Sequence, residues 1–324
     1  MINDVSLEII QKCLNNCVHC SSNSRHNSQA ILEIHAIEEV IDDIVELGAK
    51  RLCLSGGEPF LHTDIINIIR YAVQKGLKLD IYSSGIVGEY GKEEALGHDM
   101  LLECKKAGLN RIMFNLQAAH SEVYDSIMGT TNNFPLVIES IKRAKRYNIE
   151  TEIHFVPMKQ NTNEVKDVVK LAKELGACCV SFLRLVPHGR AKLNMENIML
   201  TDNELRSIQE ELYVIKEGGE KIRIGLPLSF PGDTSHCHAV KEKLYIKFDG
   251  SVFGCEAFKY IQFLDDKNVP ITPDNVLKRR IKDINSKSLF LEKSIDLVEK
   301  FSNMKCGCDN CPVQKYLKEK DKNV

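Results

Sequence analysis

From residue 3 to about 187, short apolar runs alternate with longer stretches whose apolar residues recur every three or four positions. "VSLEII" (5–10), "RLCLSG" (51–56), "LKLDIYSSG" (77–85), "RIMFNLQ" (111–117), "ETEIHFVP" (150–157) and "CCVSFLRLVP" (178–187) read as strands. Residues 33–49, 64–76, 93–107, 133–147 and 163–175 read as helices, and Gly108 and Gly176 follow two of them as stop signals. Strands alternating with helices of this length predict βα units and a parallel sheet. Six strands are too few for a full eight-stranded barrel, so the expected fold is α/β, a partial (β/α)6 barrel resembling an opened TIM barrel. Functional loops in such folds lie at the C-terminal ends of the strands.

Beyond residue 200 the rhythm changes. "TDNELRSIQEELYVIKEGG" (201–219) begins with a capping pair, Thr201 and Glu204. "KLYIKFDGSVFGC" (243–255) reads as a hairpin turning at Asp249-Gly250. A charged helical region (275–301) precedes "KCGCDNCPV" (305–313). The expected domains are 1–225, the partial barrel, and 226–324, a smaller cysteine-bearing unit.

The 324 residues carry a net charge of −2, which gives no overall basic character to attract nucleic acid or an anionic membrane. No apolar run reaches the roughly 18 residues of a membrane span, and the N-terminus lacks a signal-peptide layout. The expected location is cytoplasmic. In a reducing compartment the 12 cysteines suggest metal where they cluster and small buried hydrophobes where they scatter. Cys53, Cys104, Cys178 and Cys179 are scattered. Cys13, Cys17 and Cys20 form one group; Cys237, Cys255, Cys306, Cys308 and Cys311 form the other.

"KCLNNCVHCSS" (12–22) places three thiols on the loop after the first strand. A structural zinc site wants four protein ligands. Three thiolates can hold three irons of a [4Fe–4S] cube and leave the fourth open to a non-protein ligand. This CX3CX2C, so placed, resembles the radical S-adenosylmethionine (SAM) superfamily. The resemblance implies that the open iron chelates SAM, and that the reduced cluster cleaves it to a 5′-deoxyadenosyl radical that abstracts hydrogen from a substrate. His19 stands where the family has an aromatic before the third cysteine. "SGGEP" (55–59), about 40 residues on, resembles the segment that cradles the methionyl amino group, so Gly56, Gly57, Glu58 and Pro59 are expected to bind SAM, with Glu58 accepting from the ammonium. By the same resemblance Ser83 and Ser84 serve SAM at the third strand end, Asn115 and Gln117 lie near its ribose, and Arg184 and Arg190 are candidates for anionic groups. Met128 is a departure, standing where many relatives place an arginine.

The later cysteines, CX12GX4C followed by CX2C, resemble the auxiliary-cluster units called SPASM or twitch. This implies one further [4Fe–4S] cluster on Cys237, Cys255, Cys308 and Cys311, with zinc as the alternative. Cys306 is a substitute ligand, a hydrogen donor or a spare thiol; Asp233 and Glu256 flank ligands and are candidate catalytic groups. The resemblance implies a peptide maturase, with oxidation or epimerisation of a sugar or other metabolite as the alternative. A non-enzymatic iron–sulfur or zinc protein is the reading from another class. The expected partners are the peptide or small-molecule substrate and an electron donor such as flavodoxin or ferredoxin. Cys13 lies too early for a peptide-binding domain to precede it, so a leader peptide is expected to need either a separate peptide-binding protein or a direct site.

Overall fold

The computed structural model describes residues 2–230, 236–302 and 310–322. Thirteen strands form among them: β1 Asp4–Ile10, β2 Arg51–Gly56, β3 Lys78–Ser83, β4 Ile86–Glu89, β5 Lys92–Ala95, β6 Arg111–Asn115, β7 Glu150–Phe155, β8 Val180–Phe182, β9 Ile222–Ile224, β10 Lys243–Ile246, β11 Val252–Phe253, β12 Phe263–Leu264 and β13 Pro270–Ile271. The helices are α1 Ile34–Glu46, α2 Ile65–Gln74, α3 His98–Ala107, α4 Ser121–Met128, α5 Phe134–Arg146, α6 Val165–Glu174, α7 Arg190–Leu193, α8 Met195–Ile198, α9 Asp202–Glu217, α10 Ile281–Lys287, α11 Leu289–Ser302 and α12 Pro312–Lys322. No helix among the described residues is long and apolar enough to cross a membrane.

Nine strands make one sheet in the order β11-β10-β1-β2-β3-β6-β7-β8-β9. Every pairing is parallel except β10 with β11. The α/β fold with a parallel sheet is as the alternating pattern predicts. Helices cover the sheet because their apolar stripes face it: Ile37, Val40, Ile41 and Ile44 are buried on α1, and Val165, Val168, Val169 and Ala172 on α6. Strands covered in this way read as near-continuous apolar runs. Leu7, Ile9, Leu52, Leu54, Leu79 and Ile81 are accordingly fully buried.

Three features were not in the pattern. The stretch 93–107 is helical only from His98; its first residues form the β4–β5 hairpin. The short helix α4 and the three-residue strand β9 gave no periodic signal of their own. Beyond the expected boundary at 225–226 the chain returns to the main sheet, where β10 lies parallel to β1 with Asp4 opposite Lys243 and Leu7 opposite Ile246. The later unit is thus tied into the same sheet. A second tie is Arg280, whose Nε donates to both oxygens of buried Asp43 on α1 at 2.8 and 2.9 Å.

A ladder of alternating charge crosses the N-terminal ends of the strands. Arg51 lies between Asp4 at 3.6 Å and Asp80 at 3.4 Å, and Arg111 lies 3.1 Å from Asp80. Arg111 also pairs with Glu152, which lies 3.2 Å from Arg223 as well. His154, Ser181 and Arg223 outweigh the effect of burial and hold the Glu152 carboxyl well below its usual range.

Candidate active site

The chain leaves β1 through residues 11–33, the loop bearing Cys13, Cys17 and Cys20. Three elements fix it. Asn16 N and Val18 N donate to Met128 O and Ile127 O, at 3.0 and 2.9 Å, so the end of α4 is one brace. From the segment after β2, Gly57 N donates to Ile10 O at 2.6 Å and Glu58 N to Lys12 O at 2.8 Å. The approach is so close that a Cβ on Gly57 would stand 2.1 Å from Lys12 O, and one on Gly56, at φ +126°, 2.2 Å from Ile10 O. The third brace is Arg190, whose guanidinium donates to Cys17 O at 2.9 Å and Ser24 O at 2.6 Å while its backbone N donates to Cys20 O at 3.0 Å.

Arg190 therefore spends its fork on loop carbonyls. Arg190→Ala is expected to lose hydrogen bonds from a charged donor, each worth roughly 1.5–3 kcal/mol. The expected result is iron lost at least several-fold faster from the first cysteine group under chelator challenge. An unchanged rate would show that the other two braces suffice.

These loops surround a cavity of about 650 Å³. Cys13, Cys17 and Cys20 line one part of it, and Cys237, Cys255 and Cys311 another. These six cysteines share one cavity; Cys308, Cys306 and Asp233 lie outside the described residues. Burial, then neighbouring Cys17, Glu58 and Cys20, push the Cys13 thiol well up; burial and Cys20 push Cys17 up to about 12. Cys13 and Cys17, buried beside Cys20 and costly to ionise as free thiols, fit a shared group of iron ions whose charge would offset the thiolates. Burial likewise raises Cys237 and takes Cys255 up to about 12.

Other expected residues divide into those on the cavity and those behind it. Gly56, Gly57, Ser83, Ser84, Asn115, His19 and Arg184 line it. Burial and Arg190 lower His19 to about 4, so the ring is neutral, and its buried Nδ1 has no hydrogen-bond partner among the described residues. Glu58, Pro59 and Gln117 do not line the cavity. Glu58 is 0% exposed, and its carboxylate accepts from Ser83 Oγ at 2.9 Å, Ser84 N at 2.7 Å, Ser84 Oγ at 2.6 Å and Phe60 N at 3.2 Å. Burial pushes this carboxyl up, and the bonds from Ser84 and Ser83 pull it back only in part. Gln117 holds strand ends together, donating to His154 O at 3.2 Å and accepting from Val156 N at 2.9 Å. Asn115, accepting from Gln117, reaches Met128 Sδ at 3.8 Å, so Met128 supports the wall where an arginine was expected by resemblance.

On the side of the later cysteines, Glu256 lies 3.3 Å from Lys243. Burial pushes the Glu256 carboxyl up, but Lys243 outweighs it, and Glu256 in turn raises Lys243; both stay charged. A buried group of polar side chains around Glu8 was not foreseen. Glu8, 1% exposed on β1, accepts from Ser22 and Tyr245, and Lys259 Nζ lies 3.6 Å from it and 3.1 Å from the Tyr245 hydroxyl. The available signal was a lone carboxylate inside the apolar run "VSLEII".

The Radical SAM superfamily model matches residues 7–180. The chain is 28% identical over 187 residues to the AdoMet-dependent heme synthase of Methanosarcina barkeri, covering 57% of this chain and 51% of that protein. It is 27% identical over 225 residues to a probable GTP 3′,8-cyclase of Sulfurisphaera tokodaii, covering 69% and 66%. The matches thus span about half to two thirds of these relatives. Among solved structures, SuiB of Streptococcus suis bound to S-adenosylmethionine superposes with a TM-score of 0.73 at 16% identity, covering 92% of this chain and 68% of that one. Native anSMEcpe with bound AdoMet gives 0.67 at 15% identity, covering 95% and 90%. These structures share the fold. With the family model spanning more than half of its length, from β1 into β8, the chain belongs to the Radical SAM superfamily.

Proposed function

We propose that this protein is a radical SAM oxidoreductase that modifies a peptide, and that residues 226–324 form an auxiliary-cluster unit. The observation that carries the reading is the shared cavity: three cysteines of the first group and three of the second line the same space. Cys13, Cys17 and Cys20 would hold the first [4Fe–4S] cluster. Cys237, Cys255 and Cys311, with Cys308, would hold a second. When bound, the first cluster and SAM would supply a 5′-deoxyadenosyl radical for hydrogen abstraction, and the second cluster an acceptor for the electron left on the substrate.

The chain's own groups then have definite tasks. Gly56 and Gly57 let backbone reach the SAM methionyl end, and Ser83 and Ser84, held by Glu58, present their edge of the cavity to it. Asn115, His19 and Arg184 border the remainder. Oxidation of a C–H bond by hydrogen abstraction and electron loss releases a proton as well. Glu256, which lines the cavity beside Lys243, would be the acceptor for it in this reading.

The peptide class is supported by two structural relatives: SuiB is described bound to its precursor peptide SuiA, and anSMEcpe bound to AdoMet and the Cp18Cys peptide. The test uses anaerobically reconstituted protein with SAM, a flavodoxin or ferredoxin reducing system, and a library of short synthetic peptides screened beside a panel of sugars. Formation of 5′-deoxyadenosine matched by loss of two hydrogens or a crosslink on a peptide supports the reading. Absence of 5′-deoxyadenosine refutes the enzyme assignment. Its formation with sugar turnover and no peptide change moves the substrate to the small-metabolite class.

A further inference from the structure

Cys178 and Cys179 take no part in the cavity. They precede β8 at the N-terminal ends of the strands, beside the charge ladder. In a regular strand consecutive side chains point to opposite faces. Here the chain bends at Cys178, and the two sulfurs come to 4.0 Å. The backbone at both residues is pinned to β7, with Cys178 N donating to Thr151 O at 2.8 Å and Cys179 O accepting from Ile153 N at 3.0 Å. Glu152 lies between those two partners. One carboxylate oxygen and both sulfurs lie within 4.8 Å of one another.

The spacing discriminates between two uses of adjacent thiols. A disulfide needs its sulfurs about 2.05 Å apart. Two thiolates on one tetrahedral zinc at about 2.3 Å each stand about 3.8 Å apart. The observed 4.0 Å is a thiol–thiol hydrogen bond from Cys178 to Cys179; it is far too long for a disulfide and within a few tenths of an ångström of the zinc spacing, so an ion could replace the shared proton with little movement. Both cysteines are half-buried, so an ion can enter from solvent. Glu152 is already oriented by Arg111, Arg223, His154 and Ser181. Such outer hydrogen bonds are what aim a ligating carboxylate.

We propose that Cys178, Cys179 and Glu152 form a site for one thiophilic divalent cation, zinc, with water in the fourth position. Binding displaces the two thiol protons to solvent as the dication enters. The charge inside the sheet end is then unchanged, and the ladder from Asp4 to Arg223 keeps its balance. The ion clamps the start of β8 to β7, and Glu152 links it to His154 and Arg223, which line the cavity.

The test uses the holoenzyme with its clusters assembled, so that their cysteines are occupied. Zinc is titrated in competition with a chromophoric chelator. One zinc per chain is expected. Cys178→Ser and Cys179→Ser should each lose it while retaining SAM binding and iron content, and Glu152→Gln should weaken it roughly tenfold or more. The zinc complex should melt a few degrees higher than the zinc-free holoenzyme. Wild-type zinc binding in both serine variants, or none in the wild type, overturns the proposal. Because Glu152 also serves the ladder and its Gln variant can unfold, the serine variants decide.

Discussion

Alanine in place of Cys13, Cys17 and Cys20 together is expected to leave about four of about eight irons per chain and to abolish 5′-deoxyadenosine formation, since each cubane cluster carries four irons. The complementary variant, Cys237→Ala with Cys255→Ala, should also leave about four irons, yet still cleave SAM. The asymmetry follows from the braces. The first loop is held by α4 and the segment after β2, both within the part matched to the superfamily, and by Arg190 just beyond it; none of these is a residue of the later group, so the loop keeps its geometry when that group is lost. Product should nevertheless disappear in the later variant if the second cluster takes the substrate's electron. Cys306→Ala should keep both clusters and most product. Loss of four irons would make Cys306 a ligand; loss of product with all iron retained would make it a hydrogen donor. A wild-type chain carrying zinc and a single cluster would remove the second cluster from the proposed function.

Glu58→Ala has the next largest expected effect, and it reads on two scales at once. The substitution strips a buried acceptor from Ser83, Ser84 and Phe60. Each buried donor left unpaired costs about 1–3 kcal/mol, and rotating hydroxyls recover part of this. The net loss is about 2–5 kcal/mol, a fall in thermal midpoint on the order of 5–10 °C. SAM affinity should fall roughly tenfold or more, with iron content unchanged in the folded fraction. The serine variants separate the two routes. If Glu58 acts through Ser83 and Ser84, Ser84→Ala should reproduce much of the affinity loss. If Glu58 meets the SAM ammonium directly, Ser84→Ala should leave affinity near wild type, and the bond lost in Glu58→Ala would be worth roughly 1.5–3 kcal/mol by itself.

Most of the sheet was legible because six short runs with apolar residues on the helix-covered face, such as Leu7 and Ile9 or Leu79 and Ile81, stand out between helical stripes. The strand β9 was not: its three residues, Ile222–Ile224, are too few for a periodicity. The hairpin at 243–255 was read correctly as local structure, but a local pattern holds nothing about which distant strand it will join. The cysteine loop was legible from spacing. Its supports were not, because Arg190, Met128 and Gly57 act through backbone carbonyls and amides that leave no mark on residue type. Glu58 shows the same limit: a motif identifies the residue, but not that its carboxylate turns inward to two serines rather than out to the cavity. Glu8 and Lys259 could have been suspected, as charged residues beside apolar neighbours; their pairing across the two units could not.

The place of β10 beside β1 bears on how the chain is made. β1 gains its inner neighbour, β2, early, but its outer neighbour begins at Lys243, more than two hundred residues later. At about 5–20 residues per second, the outer edge of β1 waits roughly 10–50 s on the ribosome as an exposed apolar strand, a template for wrong pairing. A nascent chain of this design calls for a chaperone that shields edges. Since β11 ends at Phe253, two residues before Cys255, adding β10 and β11 to the sheet and carrying Cys255 to the cavity are one folding event, and metal cannot be captured by both cysteine groups before this event.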